Sequence, residues 1–112
     1  MDLTSLRAKY TTRGLDIKDL NPNPFLQFEI WFNEAMDAKL TEPNAFSLAT
    51  VGTDMMPSIR TVLLKIFDQK GFVFFTNYKS NKAKQIEQNP KAAALFAWLE
   101  LERQVKIEGN IE

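Results

Sequence analysis

The stretch Arg60-Thr61-Val62-Leu63-Leu64-Lys65 sets two cations around four strand-forming residues. Charged side chains on a strand that crosses a core are costly unless they are exposed or paired. Two readings follow. Either both cations sit at strand ends in water, which residue type alone favours, or they anchor phosphates, arginine through its planar fork and lysine as a point charge. Residues five apart on an ideal strand face opposite sides, so the two serve different phosphates unless a bulge re-aims one of them. A second cluster, Lys79-Ser80-Asn81-Lys82-Ala83-Lys84, opens a predicted helix directly after a predicted strand. Free N–H groups and the positive end of the dipole attract anions there. A solvated helix face has the same composition, and no glycine-rich loop accompanies the cluster. Gln104, at the start of a predicted strand, is an exposed polar residue or a donor and acceptor for a ring edge. Arg7, Lys9 and Tyr10 form a frayed terminus or an arm over a site.

Composition narrows the chemistry. The chain has 112 residues, which suits one domain with a single core. Lys+Arg and Asp+Glu both number 14, so bulk charge offers no case for nucleic acid or a membrane surface. There is no His and no Cys, which excludes a Ser-His-Asp triad, a thiolate zinc site and a disulfide framework within the chain. No apolar run approaches the ~20 residues of a membrane span. MDLTSLRAKY lacks the apolar core of a signal peptide, so a cytoplasmic protein is expected.

The elements that must position these groups are legible from pattern. Residues 3–10 predict a short helix capped by Thr4 or Ser5. Asn23 as N-cap and Pro24 as first helical residue open a helix running to about Leu40, with Phe25, Phe28, Phe32, Ala35 and Met36 on one face beside Trp31. Ala45–Val51, Ser58–Phe67 and Phe72–Thr76 read as strands joined by short turns, with Gly71 free to take positive φ. Ser80 caps a second helix over 81–88, and Ala92–Trp98 and Gln104–Ile111 give two more strands. Phe72, Phe74, Phe75 and Trp98 read as core. The order predicts an α+β fold: an antiparallel, Greek-key-like small barrel with flanking helices. The last predicted strand has no successor, so its edge needs another segment or a partner chain to cover it.

RAKY at 7–10, the PNPF entry to the first helix, RTVLLK at 60–65, FFTN at 74–77, SNKAKQIEQNP at 80–90 and LERQVKIEG at 101–109 stand together in this chain. In order and spacing they resemble the pyridoxamine 5'-phosphate oxidase family from Leu6 to Glu112. The resemblance implies an FMN-binding split barrel, with FMN at a homodimer interface. It implies oxidation of pyridoxamine or pyridoxine 5'-phosphate to pyridoxal 5'-phosphate in vitamin B6 metabolism, with oxygen as electron acceptor. The cofactor carries the hard chemistry, as a chain without His or Cys requires.

By position, the resemblance assigns Arg60, Thr61, Val62, Leu63, Leu64 and Lys65 to the flavin, with Arg60 near its phosphate. Lys65 also matches a lysine that holds the substrate phosphate. Phe75 and Thr76, then Asn81 and Lys82, then Gln104 match further flavin contacts. Arg7, Ala8, Lys9 and Tyr10 match a segment that closes over the substrate, with Ala8 where a second Arg can occur. Asn81 replaces the usual Arg, which removes one charge-assisted bond worth roughly 1.5–3 kcal/mol. The resemblance divides the chain into an arm over residues 1–20 and, over 21–112, the N-terminal part of the split barrel. The family runs to roughly twice this length, beyond a one-domain prior. Its other half carries the remaining substrate ligands, and no catalytic acid or base is assigned here. For this chain alone, weak or absent turnover is expected. The alternative is a non-catalytic or truncated flavin- or phosphate-binding module on the same barrel.

Overall fold

The computed structural model describes residues 1–6, 14–76 and 81–112, with Asn81 and Lys82 described through their backbone. Helix α1 (Pro24–Asp37) starts as its sequence dictates: the Asn23 side chain accepts from the N–H groups of Phe25 and Leu26 at 2.9 and 3.4 Å. It stops three residues before the expected Leu40. Lys39 turns left-handed with φ 57°, its N–H bonds to Met36 O, and Leu40 N–H bonds back to Ala35 O. That closure usually takes glycine, and no glycine marks it here. Residues 3–6 form a single turn closed by Leu6 N–H on Leu3 O, with Thr4 held by Asp2 rather than capping a helix. The rest of the expected N-terminal helix, and the Ser80 cap, lie outside the described residues.

Five strands follow: β1 (Ala45–Val51), β2 (Pro57–Asp68), β3 (Gly71–Phe74), β4 (Lys91–Trp98) and β5 (Arg103–Asn110). Helix α2 (Asn81–Gln88) lies between β3 and β4. All pairings are antiparallel, and the order across the sheet is β3-β2-β1-β4-β5. Strands β1 to β3 form a meander, and α2 carries the chain back to lay β4 beside β1. That arrangement is a Greek key, and β5 extends it as a hairpin. Among the described residues β3 and β5 each pair on one side only, so the expected open edge at the last strand is present.

The sheet curls around α1 as a half-barrel. Phe28 sits at its centre, 4% exposed, and its ring meets Phe67, Phe72, Phe96 and Trp98 with centroids 4.9–5.8 Å apart. Edge-on and tilted contacts of this kind add to the burial of large apolar area. Phe46, Leu48, Val62 and Leu64 complete the inner face. The Trp98 indole N–H, buried with its ring, donates to Pro43 O at 3.0 Å. Two expectations about the core fail. Met36 is 48% exposed near the end of α1, and Phe75 is 70% exposed, because β3 ends at Phe74 rather than Thr76.

A bulge in β2 decides which residues face out. Leu64 pairs with Phe74 but Ile66 pairs with Val73, so Lys65 is the extra residue. Val62 and Leu64 point inward before it and Phe67 points inward after it. The alternation is reset by one, and Lys65 and Ile66 are both left exposed.

Candidate functional site

Arg60 shares the inward parity of Val62 and Leu64 but lies where the strand leaves the core. On β1, where Leu48 pairs with Arg60 and Thr50 with Ser58, Thr50 is a polar residue at an inward position and is 3% exposed. The two meet: Arg60 Nη1 donates to Thr50 Oγ1 at 2.8 Å and to Leu48 O at 3.0 Å. From α2, Gln85 Oε1 accepts from Arg60 Nη2 at 3.2 Å and from the Thr50 hydroxyl at 2.6 Å. Gln85 Nε2 donates to Ser58 Oγ at 2.9 Å. One amide thus ties the ends of β1 and β2 to the helix. Gly52 lets α2 come this close, since a Cβ there would stand 2.9 Å from Gln88 Oε1 and 3.3 Å from Gln85 Cγ.

Every partner of Arg60 in this cluster is neutral. Burial alone pulls its guanidinium below the ordinary value, with no neighbouring carboxylate to raise it. None of its bonded partners is a counterion that would neutralise the half-buried cation. Three of its five N–H donors are engaged by described residues, which leaves two for an anion. Strand-end solvation, the reading favoured by residue type, does not describe this arginine.

β3 runs antiparallel to β2, so its exit through Phe75 and Thr76 heads toward the Arg60 end of the sheet. Gln85 stands one helical turn beyond Lys82, so the first turn of α2 lies at that end too. Thr76 Oγ1 is buried without a hydrogen-bond partner, the one such side-chain atom among the described residues. An unengaged hydroxyl, a cation with spare donors and a helix start on one end of the sheet fit the phosphate end of FMN. The side chains of Asn81 and Lys82, and all of Arg7, Ala8, Lys9 and Tyr10, lie outside the described residues.

The remaining predicted positions divide by face. Val62 and Leu64 are 6% and 4% exposed within the core, so their side chains are closed to a ligand. Thr61, Leu63 and Lys65 face outward, as parity and the bulge require. Arg60 and Lys65 therefore do not converge on one group. Gln104 also faces outward, paired with Ala97 on the far hairpin. It stands three strand spacings from β2, roughly 14 Å along the sheet. A groove lies away from Arg60, between residues 14–21, α1 and the start of β5. Arg103 fills part of it, 4.8 Å above the Trp31 ring and paired with Glu34. Sequence reasoning passed over Thr50, Ser58 and Gln85. The signal for Thr50 was present, a hydroxyl in register with Phe46 and Leu48 on an otherwise apolar face.

Similarity to known proteins agrees with this fold. A family model described as pyridoxamine 5'-phosphate oxidase matches residues 32–112. The chain is 85% identical over 112 residues to the pyridoxine/pyridoxamine 5'-phosphate oxidase of Aliarcobacter butzleri, covering 100% of this chain and 53% of that protein. It is 66% identical over 110 residues to the enzyme of that name from Crocosphaera subtropica, covering 98% and 51%. The chain thus spans about half the length of the curated relatives it matches. Among solved structures, PhzG from Burkholderia lata 383, in complex with tetrahydrophenazine-1-carboxylic acid, superposes with a TM-score of 0.79 at 29% identity, covering 83% of this chain and 46% of that one. A pyridoxamine 5'-phosphate oxidase-related, FMN binding protein from Nostoc punctiforme gives 0.66 at 26%, covering 82% and 48%. The curled five-stranded sheet is the half-barrel of the FMN-binding split-barrel fold, and the chain belongs to the pyridoxamine 5'-phosphate oxidase family.

Proposed function

We propose that this chain is the flavin-holding half of an oxidase that converts pyridoxamine or pyridoxine 5'-phosphate to pyridoxal 5'-phosphate, with oxygen as electron acceptor. The observation that carries the reading is the half-buried Arg60, held by neutral partners with two donors to spare, beside the start of α2. Such a site stabilises a phosphate by charge-assisted bonds that no internal carboxylate competes for. FMN, when bound, supplies the acceptor for hydride from the substrate.

The chain's own residues bind and orient. Arg60, Thr76 and the first turn of α2, with Asn81 and Lys82, hold the flavin phosphate. Thr61, Leu63 and the exposed Phe75 offer side chains to the ring system, whereas Val62 and Leu64 shape the strand beneath it. Lys65, which alternation sets on the opposite face from Arg60, takes the second phosphate, that of the substrate. Residues 1–20 act as an arm, with Arg7, Ala8, Lys9 and Tyr10 against the substrate, and 21–112 as the barrel portion. Gln104 is too far along the sheet to serve Arg60's flavin directly. In this reading Gln104 serves the flavin of a second copy, and the protein acts as a cytoplasmic homodimer. Among the described residues no helix is long and apolar enough to cross a membrane.

A second reading, a flavin-binding module without turnover, draws support from the similarity to a protein described only as oxidase-related and FMN binding. One experiment separates them. The purified chain is mixed with FMN, and bound flavin and hydrogen peroxide formed from pyridoxamine 5'-phosphate are both measured. Binding with turnover supports the oxidase, and binding without it assigns this chain the module role. Absence of flavin binding removes both readings.

A further inference from the structure

We propose that Gln85 is a positioning residue for the flavin phosphate: its neutral amide aims the Arg60 guanidinium and fixes α2 against it without cancelling the charge. The proposal rests on the reading of Arg60 as a phosphate ligand.

The amide's orientation is forced. Its oxygen meets two donors, Arg60 Nη2 and the Thr50 hydroxyl, while its nitrogen meets Ser58 Oγ. Turned over, the NH2 group would oppose the guanidinium. From α2, Gln85 thus bonds to Thr50 on β1 and to Ser58 and Arg60 on β2. A glutamate would satisfy the same two donors more strongly, and the Ser58 hydroxyl can rotate to donate to it. On stability alone a carboxylate is the better residue for this place. It would also neutralise Arg60 within hydrogen-bonding distance and set a negative charge beside an incoming phosphate. A neutral side chain fits a cluster built to leave the cation available.

The test uses the chain and its Gln85→Glu and Arg60→Ala variants, titrated separately with FMN and with riboflavin, which lacks the phosphate. Melting curves are recorded for each. Gln85→Glu is expected to bind FMN roughly ten- to hundred-fold more weakly, the size of one charge-assisted contact. Its riboflavin affinity stays unchanged and its melting temperature does not fall. A role confined to holding the helix would instead move stability and both ligands together.

The other outcomes separate two failures. If Arg60→Ala leaves FMN affinity intact, or the unaltered chain binds FMN no better than riboflavin, the reading of Arg60 falls and this proposal with it. If Arg60→Ala loses FMN but Gln85→Glu keeps it, the reading of Arg60 stands and the positioning role is overturned. A Gln85→Glu chain that fails to fold also overturns it, because a carboxylate there must seat α2 at least as firmly as the amide.

Discussion

The guanidinium of Arg60 and the amide of Gln85 meet across the seam between β2 and α2, 3.2 Å from Nη2 to Oε1. The contact makes Arg60 a structural residue as well as a ligand candidate. Arg60→Ala removes bonds to Leu48 O, Thr50 and Gln85. Part of that loss is desolvation of the buried Thr50 hydroxyl. A cost of about 2 kcal/mol is expected even without flavin, read as a lower urea midpoint with an unchanged slope. An unaltered midpoint would show that the cluster contributes nothing to the fold.

Lys65 is expected to behave in the opposite way. It is exposed at a bulge, so Lys65→Ala should leave stability within about 0.5 kcal/mol and FMN affinity intact. If the full enzyme carries this sequence, the Michaelis constant for the phosphorylated substrate rises in the variant. Equal loss of FMN from Lys65→Ala and Arg60→Ala would refute two separate phosphate sites.

Deleting Lys65 tests the bulge itself. Without the extra residue, Ile66 follows Leu64 directly and β2 alternates strictly, with Ile66 outward and Phe67 inward as before. Phe67 keeps its edge-on contact with Phe28 at 4.9 Å. The deletion is therefore expected to fold, with near-native circular dichroism and a melting temperature close to that of Lys65→Ala. Loss of folding would contradict the register, because deleting a residue from an unbulged strand turns every side chain beyond it to the other face.

These contrasts show what the sequence made legible. The Asn23-Pro24 cap, the five strands and α2 could be read within one or two residues, because apolar alternation and punctuation by Pro and Gly act locally. Opposite faces for Arg60 and Lys65 followed from parity. The bulge at Lys65 did not, since no residue type marks it and only pairing with β3 creates it. The end of α1 at Asp37 was hidden because Lys39 occupies a position where glycine is the usual signal. The Arg60–Thr50–Gln85 cluster joins residues as many as 35 apart in sequence, and no spacing rule links a strand hydroxyl to a helix amide.

Phe28 anchors α1 within the curl of the sheet, touching rings from β2, β3 and β4. Phe28→Ala should cost roughly 3–5 kcal/mol through lost burial and the cavity left behind. Phe28→Leu should cost less. A small domain has about 5–15 kcal/mol in total, so the alanine variant sits near the threshold of folding. Denaturant unfolding of both variants checks the order.

Thr76 provides a test whose sign depends on the ligand. Its hydroxyl is buried without a partner in the flavin-free chain. Desolvating such a group costs on the order of 1–3 kcal/mol when nothing replaces water. Valine has nearly the same shape without the oxygen, so Thr76→Val is expected to leave the flavin-free chain equally stable or more stable. With saturating FMN the ranking should reverse, since a phosphate or ring edge that engages the hydroxyl stabilises only the threonine chain, and ligand binding adds to stability by mass action. Melting both chains with and without FMN reads this crossing directly. If Thr76→Val is the less stable chain without flavin, the hydroxyl already has a protein partner and is not held for the cofactor.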